Sequence, residues 1–491
     1  MIRRAALICS LAAAVVCAVP GAARAAEEAR AHWTVSTAVP QAQQAFDRGL
    51  AMLYAFNVGE ARVAFEQAAK LDPDLAMAFW GLAEADTIDI NRPTTAEGEL
   101  RAAAALVHAH DHLAHAGADE RALIEAIGKR YAKGTQKEKF ARYADAMSAF
   151  TKTHRDEPNA LVVAAFAIYT AEDALVDGKD ALTPKAREML ADADRALELE
   201  PGNLGAHHLR IHLLENASRS REAVPDADAL SSYGYPPGES HLPHMAGHIW
   251  SRVGAYERLI DDNQRAVAND RAWFALGDGP GQHYMHIYHD HDVDFVLYGL
   301  TTLGRNDEAR AAAKDEDAFM RAKLALRLHE DAAVLTAAAP GASTYAKAFA
   351  NARSGDVAVA RAERAKLDAS DTVHRALVDA ALAHRAGNAA ERIAAYARAY
   401  EETKSAHPGD PKDYWMTPIG EGYAAALLAA GKAALAETVF AAELKRFPND
   451  PHLEWGLAEA LKAQGKPDAA PRAAYASHWK GARDLAAGDL G

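Results

Sequence analysis

Small and aromatic side chains recur in this sequence at the spacing of a two-helix repeat of about 34 residues. Counted from Ala42, the first copy places a small residue, an alanine, an aromatic residue, a second alanine and a proline at the expected points: Gly49, Ala61, Phe65, Ala68 and Pro73. Paired helices approach closely only where side chains are short, and an aromatic ring fills the space between hairpins. The pattern therefore predicts stacked helical hairpins.

A second copy lies near the C-terminus. Ala436, Phe440 and Pro448 keep the same spacing, although the second alanine is absent there. The small position of the hairpin that follows each copy holds Ala83 and Ala458. This is the spacing of tetratricopeptide repeats (TPR). It predicts an all-α, TPR-type helical-hairpin solenoid, a right-handed superhelix of about eight to ten hairpins.

Composition favours the same architecture. Half of the residues are hydrophobic but only 7% are aromatic, which is typical of many thin helices packed through small side chains. Alternating runs bounded by turn residues, the pattern of strands, are absent. We expect N-terminal hairpins over 40–175, central histidine-rich hairpins over 184–320 and C-terminal hairpins over 330–480.

The first 25 residues have the pattern of a signal peptide. Arg3 and Arg4 precede an apolar run from Ala5 to Val19, and small residues end the segment before Ala26. The sequence therefore predicts a signal peptide over 1–25 and a periplasmic or secreted protein. No later apolar run reaches the roughly 18 residues of a transmembrane helix, so no transmembrane segment is expected.

Cysteine and charge exclude several classes of function. Both cysteines, Cys9 and Cys17, lie within the predicted signal peptide, so the exported chain should contain neither a disulfide nor a thiolate ligand. A net charge of −14 repels phosphate backbones, which argues against a nucleic-acid partner. No glycine-rich phosphate loop follows a strand, and we expect no nucleotide cofactor.

Histidines are concentrated in the central segment, where ten of the 22 fall within residues 207–291 in three groups. Within the first two groups the spacing places three candidate ligands on one helix face. The candidate ligands are His208, His212 and Glu215 in the first group, His241, His244 and His248 in the second, and His289 or His291 in the third. The first two groups are separated by about one repeat, so neighbouring helices should carry them at matching heights.

These groups predict a transition-metal site. We expect each group on the first helix of a hairpin. The first of these helices spans Leu204–Ser218, the second spans His241–Arg252 with Ser240 as its N-cap, and the third runs from about His291 to Leu303. First helices of TPR hairpins line the concave groove, so the side chains should share one space. Imidazoles with carboxylates and no thiolate suit Zn, Cu or Fe. Six nitrogen ligands leave room for two ions.

Two classes of function remain open. Three protein ligands leave an open position for water or oxygen, as hydrolytic or oxidative catalysis requires, so the metal could be stored or could perform chemistry. Alternatively, the concave face is a scaffold for a peptide or protein partner, the usual role of TPR arrays. Another stripe of histidines, at His108, His110, His112 and His115, is interpreted as solvated or as binding metal adventitiously, with a specific site there as the alternative.

Several segments together resemble a family of secreted bacterial TPR proteins, and the likeness covers most of the chain. The segments are Phe46–Leu50, Leu53–Asn57, Leu71–Pro73, Ala76–Leu82, His241–Ile249 and Arg252–Tyr256. The family typically carries a helix like His208–His212 with Glu215, a three-histidine segment, and an aromatic, histidine-rich segment like Tyr288–Phe295. This chain departs from it at Met245–Gly247, where the family has Met-Pro-Ser, and at Asp294, where it has a histidine. The resemblance implies the architecture.

Overall fold

The computed structural model of the protein describes residues 31–87, 94–177, 181–216, 219–277, 282–336, 343–404 and 419–490. These residues contain 24 α-helices and no extended strand, apart from an isolated bridge between Val176 and Leu182. The predicted signal peptide lies outside the described residues.

In chain order the helices are α1 (Pro40–Tyr54), α2 (Val58–Leu71), α3 (Ala76–Glu84), α4 (Ala96–Asp111), α5 (Ala118–Arg130), α6 (Gln136–Thr151), α7 (Pro158–Ala171), α8 (Pro184–Leu199), α9 (Leu204–Asn216), α10 (Val224–Ser232), α11 (His241–Val253), α12 (Tyr256–Phe274), α13 (Gln282–Thr302), α14 (Asn306–Ala312), α15 (Ala318–Arg327), α16 (Asp331–Thr336), α17 (Thr344–Arg353), α18 (Val357–Lys366), α19 (Thr372–Arg385), α20 (Ala389–Thr403), α21 (Ile419–Ala429), α22 (Ala433–Arg446), α23 (Pro451–Ala463) and α24 (Ala469–His478).

Helices pack in the order of the chain. Nearly every helix contacts the next one, and odd-numbered helices also contact the next odd-numbered helix, as in α7 with α9, α9 with α11 and α11 with α13. The odd-numbered helices therefore form one layer of the stack and the even-numbered helices the other, as in a solenoid of helical hairpins. The prediction of an all-α, TPR-type helical-hairpin solenoid is confirmed.

Neighbouring helices approach closely where glycines face the aromatic residues of the predicted repeat. A Cβ atom added to Gly49 on α1 would lie 2.6 Å from the ring of Phe65, and one added to Gly81 on α3 would lie 2.5 Å from it. Gly456 abuts Phe440 in the same way near the C-terminus. A side chain at these glycines would displace the ring that holds three helices together, so the repeat requires glycine there.

Both ends of the array pack against its centre. Helix α1 contacts α9, and a backbone hydrogen bond of 2.8 Å from Lys480 to Leu303 joins the C-terminal segment to the end of α13. Asn449 donates a side-chain hydrogen bond of 3.2 Å to the carbonyl of Gly254, at the turn between α11 and α12. The first helix and the C-terminal segment therefore both contact the central hairpins.

The central helices match the sequence predictions in part. α9 and α11 begin where predicted, but α13 begins at Gln282, well before the predicted start at His291. The sequence from Gln282 to His291 contains apolar residues at helical spacing, among them Tyr284 and Tyr288, and neither glycine nor proline interrupts it, so the helix extends further towards the N-terminus than predicted. Ser240 precedes α11 without capping it, because its backbone is already helical (φ −56°, ψ −33°) and its side chain makes no capping hydrogen bond.

No helix in the described part of the chain is both long and apolar enough to span a membrane. Buried apolar side chains form three clusters along the array, and α9 contributes to two of them: Leu209 and Leu213 pack into the N-terminal cluster, and Ile211 and Leu214 into the central one. This helix is therefore covered on opposite sides, which places its histidines in the interior. The boundaries of the three predicted segments stay predictions.

Candidate metal centre

Two groups of three histidines lie side by side in the interior of the central hairpins. Group one consists of His208 and His212 from α9 with His241 from α11, and group two of His244 and His248 from α11 with His291 from α13. Within each group the candidate ligand atoms all lie within 4.8 Å of one another. Group two thus repeats group one, displaced by one hairpin.

Each group is built on a pair of histidines one helical turn apart. The Nε2 atoms of His208 and His212 are 3.0 Å apart, and those of His244 and His248 are 2.9 Å apart. Residues four apart on a helix share a face, so this spacing aims both rings at one point. The third histidine of each group comes from the next odd-numbered helix, which packs directly against the first.

In group one, the Nδ1 atoms lie on the side of the rings away from the facing Nε2 atoms, and their contacts fix the orientation of the rings. Nδ1 of His208 donates to the carbonyl of Tyr54, 2.7 Å away, and Nδ1 of His212 lies 3.5 Å from Oε1 of Glu215. Burial, reinforced by the neighbouring His212, holds the pKa of His208 well below its usual range, so this ring is neutral. A metal-binding histidine typically makes this kind of contact with its second nitrogen.

The outer nitrogens of group two are held in the same way. Nδ1 of His244 donates to Oδ1 of Asn263 at 2.8 Å and also lies 2.9 Å from Oδ1 of Asp292. The amide nitrogen of Asn263 is bound to the carbonyl of Leu259, which leaves its oxygen facing the ring. Nδ1 of His248 lies 3.0 Å from Oε2 of Glu215. Sequence reasoning missed Asn263 and Asp292, because neither belongs to a histidine pattern.

The facing Nε2 atoms have a chemical consequence. A carbonyl oxygen only accepts hydrogen bonds, so Nδ1 of His208 carries the proton and its Nε2 presents a lone pair. Where both rings of a pair donate outward, two lone pairs meet at about 3 Å and repel each other unless a cation lies between them. The cation is either a proton on one ring or a metal ion bound by both.

His241 is buried without a hydrogen-bond partner on either ring nitrogen among the described residues. Its ring packs against Phe56 and Tyr288, with centroids 5.3 and 4.5 Å away. Burial, together with the nearby His208, lowers its pKa well below the usual range, so the ring is neutral. An unsatisfied buried polar group costs about 1–3 kcal/mol. A metal ion in group one would bind one of these nitrogens.

Glu215, predicted as a ligand, lies behind the rings. Its two oxygens contact the Nδ1 atoms of His212 and His248, one ring from each group, and Arg252 lies 4.0 Å from the carboxylate. Burial alone would raise its pKa, but the charge of His248 and the hydrogen bonds of both rings hold the pKa of Glu215 well below its usual range. Glu215 therefore orients one histidine of each group.

The structure distinguishes His289 from His291, which the sequence left as alternatives. His291 joins group two, with its ring centroid 4.6 Å from that of His244. His289 instead lies 3.2 Å from Asp270 and 3.4 Å from Glu316. Burial opposes protonation, but these two carboxylates raise the pKa of His289 to about 9, which makes it a cation in an ion pair.

Other candidate residues lie outside the two groups. Asp294, which replaces a histidine of the resembling family, pairs with Lys323 at 2.6 Å. In the N-terminal stripe, His108 and His112 stack on Phe79, and His112 and His115 lie near the single carboxylate of Asp74. Within the described residues, the stripe does not form a three-ligand group.

Aromatic side chains enclose the centre. Phe56 lies 4.5 Å from the ring of His208, and Phe295 lies 4.8 Å from the rings of both His244 and His248. Phe56 has a left-handed backbone (φ 55°), which is unusual for a residue with a side chain and turns its ring onto group one at the end of α1. Group one is thus buried and walled by aromatic rings where α1 packs on α9, whereas His291 of group two is only half-buried.

No protein-family model matches the chain, and a search of curated proteins finds no match. A comparison with solved structures finds the TPR domain of P58(IPK), with 13% sequence identity, 86% of this chain and 98% of that chain covered, and a TM-score of 0.23. The order in which the helices pack, and the packing of Phe65 against Gly49 and Gly81, show that the chain is an all-helical, TPR-like repeat protein.

Proposed function

We propose that this TPR-like protein binds transition-metal ions in the interior of its central hairpins, one ion in each three-histidine group. The observation that carries the proposal is the pair of facing Nε2 atoms in each group, 3.0 and 2.9 Å apart, on rings whose Nδ1 atoms contact acceptors. His241 adds a buried ring without hydrogen bonds, placed to complete group one.

The donor set defines the class of metal. Imidazole nitrogen suits Zn, Cu and Fe, and the described residues contain no cysteine. Each group supplies three protein ligands, which leaves a fourth position for water or for a substrate atom. That arrangement is typical of catalytic metal sites, since structural sites are usually closed by four protein ligands. Metal-dependent catalysis is therefore part of the proposal.

A scaffold function is the second candidate. TPR-like arrays commonly bind peptides or proteins, and α4 exposes two large apolar side chains, Leu100 and Val107, seven residues apart on one face. A protein that binds a partner on this surface needs no metal. The scaffold function becomes the better account if the purified protein contains no metal.

We also propose that the protein is exported. The arginine pair and apolar run of residues 1–25 support this proposal. N-terminal sequencing of the protein from the periplasmic fraction of a Gram-negative host should begin at Ala26. An intact Met1 on protein confined to the cytoplasm would refute export.

The metal function is tested by elemental analysis of the exported protein. We expect about two transition-metal ions per chain, one for each group. Replacing His244 and His248 with alanine should remove group two and lower the metal content by one ion or more. The matched control replaces His108 and His112 with alanine and should leave the content unchanged. Circular dichroism of each variant establishes that the helical array is retained.

A further inference from the structure

We infer that the turn between α1 and α2, residues 54–57, is a clamp that couples the docking of these two helices to metal binding at group one. Group two binds its ion independently of the clamp. The inference rests on the proposed metal function and adds an element that regulates one of the two sites. It comes from three contacts of the turn, made by the carbonyl of Tyr54, the ring of Phe56 and the side-chain amide of Asn57.

Tyr54 fixes the direction of the His208 ring. Tyr54 is the last residue of α1, so its carbonyl is among those that have no partner within the helix, and it accepts a hydrogen bond of 2.7 Å from Nδ1 of His208. Its hydroxyl donates to Oδ1 of Asn159 at 2.8 Å. Its ring lies so close to α9 that a Cβ atom added to Gly205 would be 2.8 Å from it. Tyr54 is therefore held at the backbone, the ring and the hydroxyl.

Phe56 contacts all three histidines of group one. Its ring centroid lies 4.5 Å from that of His208, 6.0 Å from that of His212 and 5.3 Å from that of His241. The side chain is fully buried, and the backbone is left-handed (φ 55°), a conformation that persists in a residue other than glycine only where the surroundings impose it. The tight turn between α1 and α2 thus places this ring against the whole group.

Asn57 joins the turn to the start of α11. Its side-chain oxygen caps α2 by accepting a hydrogen bond of 3.2 Å from the backbone amide of Glu60, and its side-chain nitrogen donates to the carbonyl of Gly238 at 3.0 Å. Gly238 lies three residues before His241, which α11 contributes to group one. The clamp therefore holds both the α9 side and the α11 side of group one, whose relative position decides whether three imidazoles can bind one ion.

The supports described for group two come from other helices. Asn263 on α12 and Asp292 on α13 contact the ring of His244, and Phe295 on α13 packs against the same ring. Glu215, which contacts one ring of each group, belongs to α9. Loosening of the clamp should therefore disturb group one and leave group two in place.

The coupling acts in both directions. If docking of α1 and α2 orients the rings of group one for an ion, an ion bound there stabilises the docked helices by the same factor. Partners that orient a metal ligand typically change metal affinity about 10–100-fold. An ion at group one should therefore reduce local opening of α1 and α2 by about 10–100-fold, whereas an ion at group two should have no such effect.

The experiment measures the Zn(II) affinity of each group separately, by chelator competition in the exported protein. Replacing His244 and His248 with alanine leaves group one, and replacing His208 and His212 with alanine leaves group two. The clamp variant is then added to each of these two proteins.

Asn57→Ser is the clamp variant, because serine caps a helix as well as asparagine does but lacks the amide that donates to Gly238. We expect the affinity of group one to fall about 10–100-fold and that of group two to stay unchanged. Asn388→Ser is the matched control, since Asn388 caps α20 by accepting from the amide of Glu391. It should change neither affinity.

A second measurement needs no substitution in the clamp and therefore decides the matter even if Asn57→Ser does not fold. Hydrogen exchange of the α1 and α2 amides is followed with and without Zn(II) in the two proteins that retain a single group. Zn(II) should slow this exchange about 10–100-fold in the protein that retains group one and leave it unchanged in the other.

Each other outcome rejects a particular statement. Equal losses of affinity at the two groups, or no loss at group one, would overturn the clamp and leave the metal function standing. Equal protection of α1 and α2 by Zn(II) in both proteins would overturn it as well. An absence of Zn(II) binding by the wild-type protein would instead reject the proposed metal function itself.

Discussion

Glu215 on α9 and His248 on α11 are joined by a contact of 3.0 Å between a carboxylate oxygen and Nδ1. The contact crosses from one hairpin to the next and links a residue beside group one to a histidine of group two. Both side chains are buried, with 8% of each side chain exposed. Water therefore competes weakly for either partner, and the contact holds the ring in one orientation.

Replacing Glu215 with glutamine should weaken metal binding without abolishing it. The amide keeps the shape but loses the charge that orients both rings, and mutating such partners typically lowers metal affinity about 10–100-fold. Competition with a chelator of known affinity measures the change. Glu222→Gln is the control, because this exposed carboxylate forms an ion pair with Arg219 and contacts neither histidine group, so affinity should be unchanged. Equal affinities for wild type and Glu215→Gln would contradict the role assigned to the carboxylate.

His291→Gln and His289→Gln should behave differently. His291 completes group two, whereas His289 is held by Asp270 and Glu316. The first variant should lose one metal ion per chain, and the second should retain both, as measured by elemental analysis after dialysis. The assignment fails if His289→Gln loses an ion and His291→Gln does not.

The sequence predicted which histidines of α9 and α11 share a helix face, but not how the histidines divide into two groups. Helical spacing identified the histidines of α9 and α11, because residues four apart must share a face. It did not separate His241 from His244, which share α11 but serve different groups, because that division depends on how α9 and α13 pack on opposite sides. The contributions of the Tyr54 carbonyl and of Phe56 depend on the contact between α1 and α9, which no local pattern encodes.

Gly81→Ala should destabilise the N-terminal hairpins. The added methyl group would lie 2.5 Å from the ring of Phe65, and such overpacking typically costs about 1–3 kcal/mol. Gly128 on α5 is the matched control, since an added Cβ meets no atom within 4 Å there. Gly128→Ala should stabilise the protein by about 0.5–1 kcal/mol through reduced backbone entropy in the unfolded chain. Urea unfolding followed by circular dichroism measures both changes. Equal effects of the two substitutions would contradict the packing described for Phe65.

Stability should fall between about pH 5 and pH 8 because of Glu84. Burial raises its pKa to about 8, although the hydrogen bond from Tyr143 and the charge of Arg130 oppose the shift. The neutral acid therefore stabilises the fold fully below the unfolded pKa near 4.5, and this contribution is lost as pH rises through about 8.

Glu84→Gln should remove this dependence, since glutamine has no charge to bury and can still accept the hydrogen bond from Tyr143. At pH 9 the variant should be more stable than wild type by on the order of a few kcal/mol, with little difference at pH 4.5. Thermal unfolding at several pH values provides the measurement. The exposed Glu97→Gln is the control. Parallel pH profiles for wild type and Glu84→Gln would show that Glu84 is already ionised in the folded protein.

The most direct test of the central claim is an anomalous-difference map from crystals of the metal-loaded protein, recorded above and below the absorption edge of the bound metal. We predict two peaks, one among Nε2 of His208, Nε2 of His212 and a ring nitrogen of His241, and the other among Nε2 of His244, Nε2 of His248 and His291. A map with no peak at either position, or with its only peak at the His108–His115 stripe, would contradict the claim.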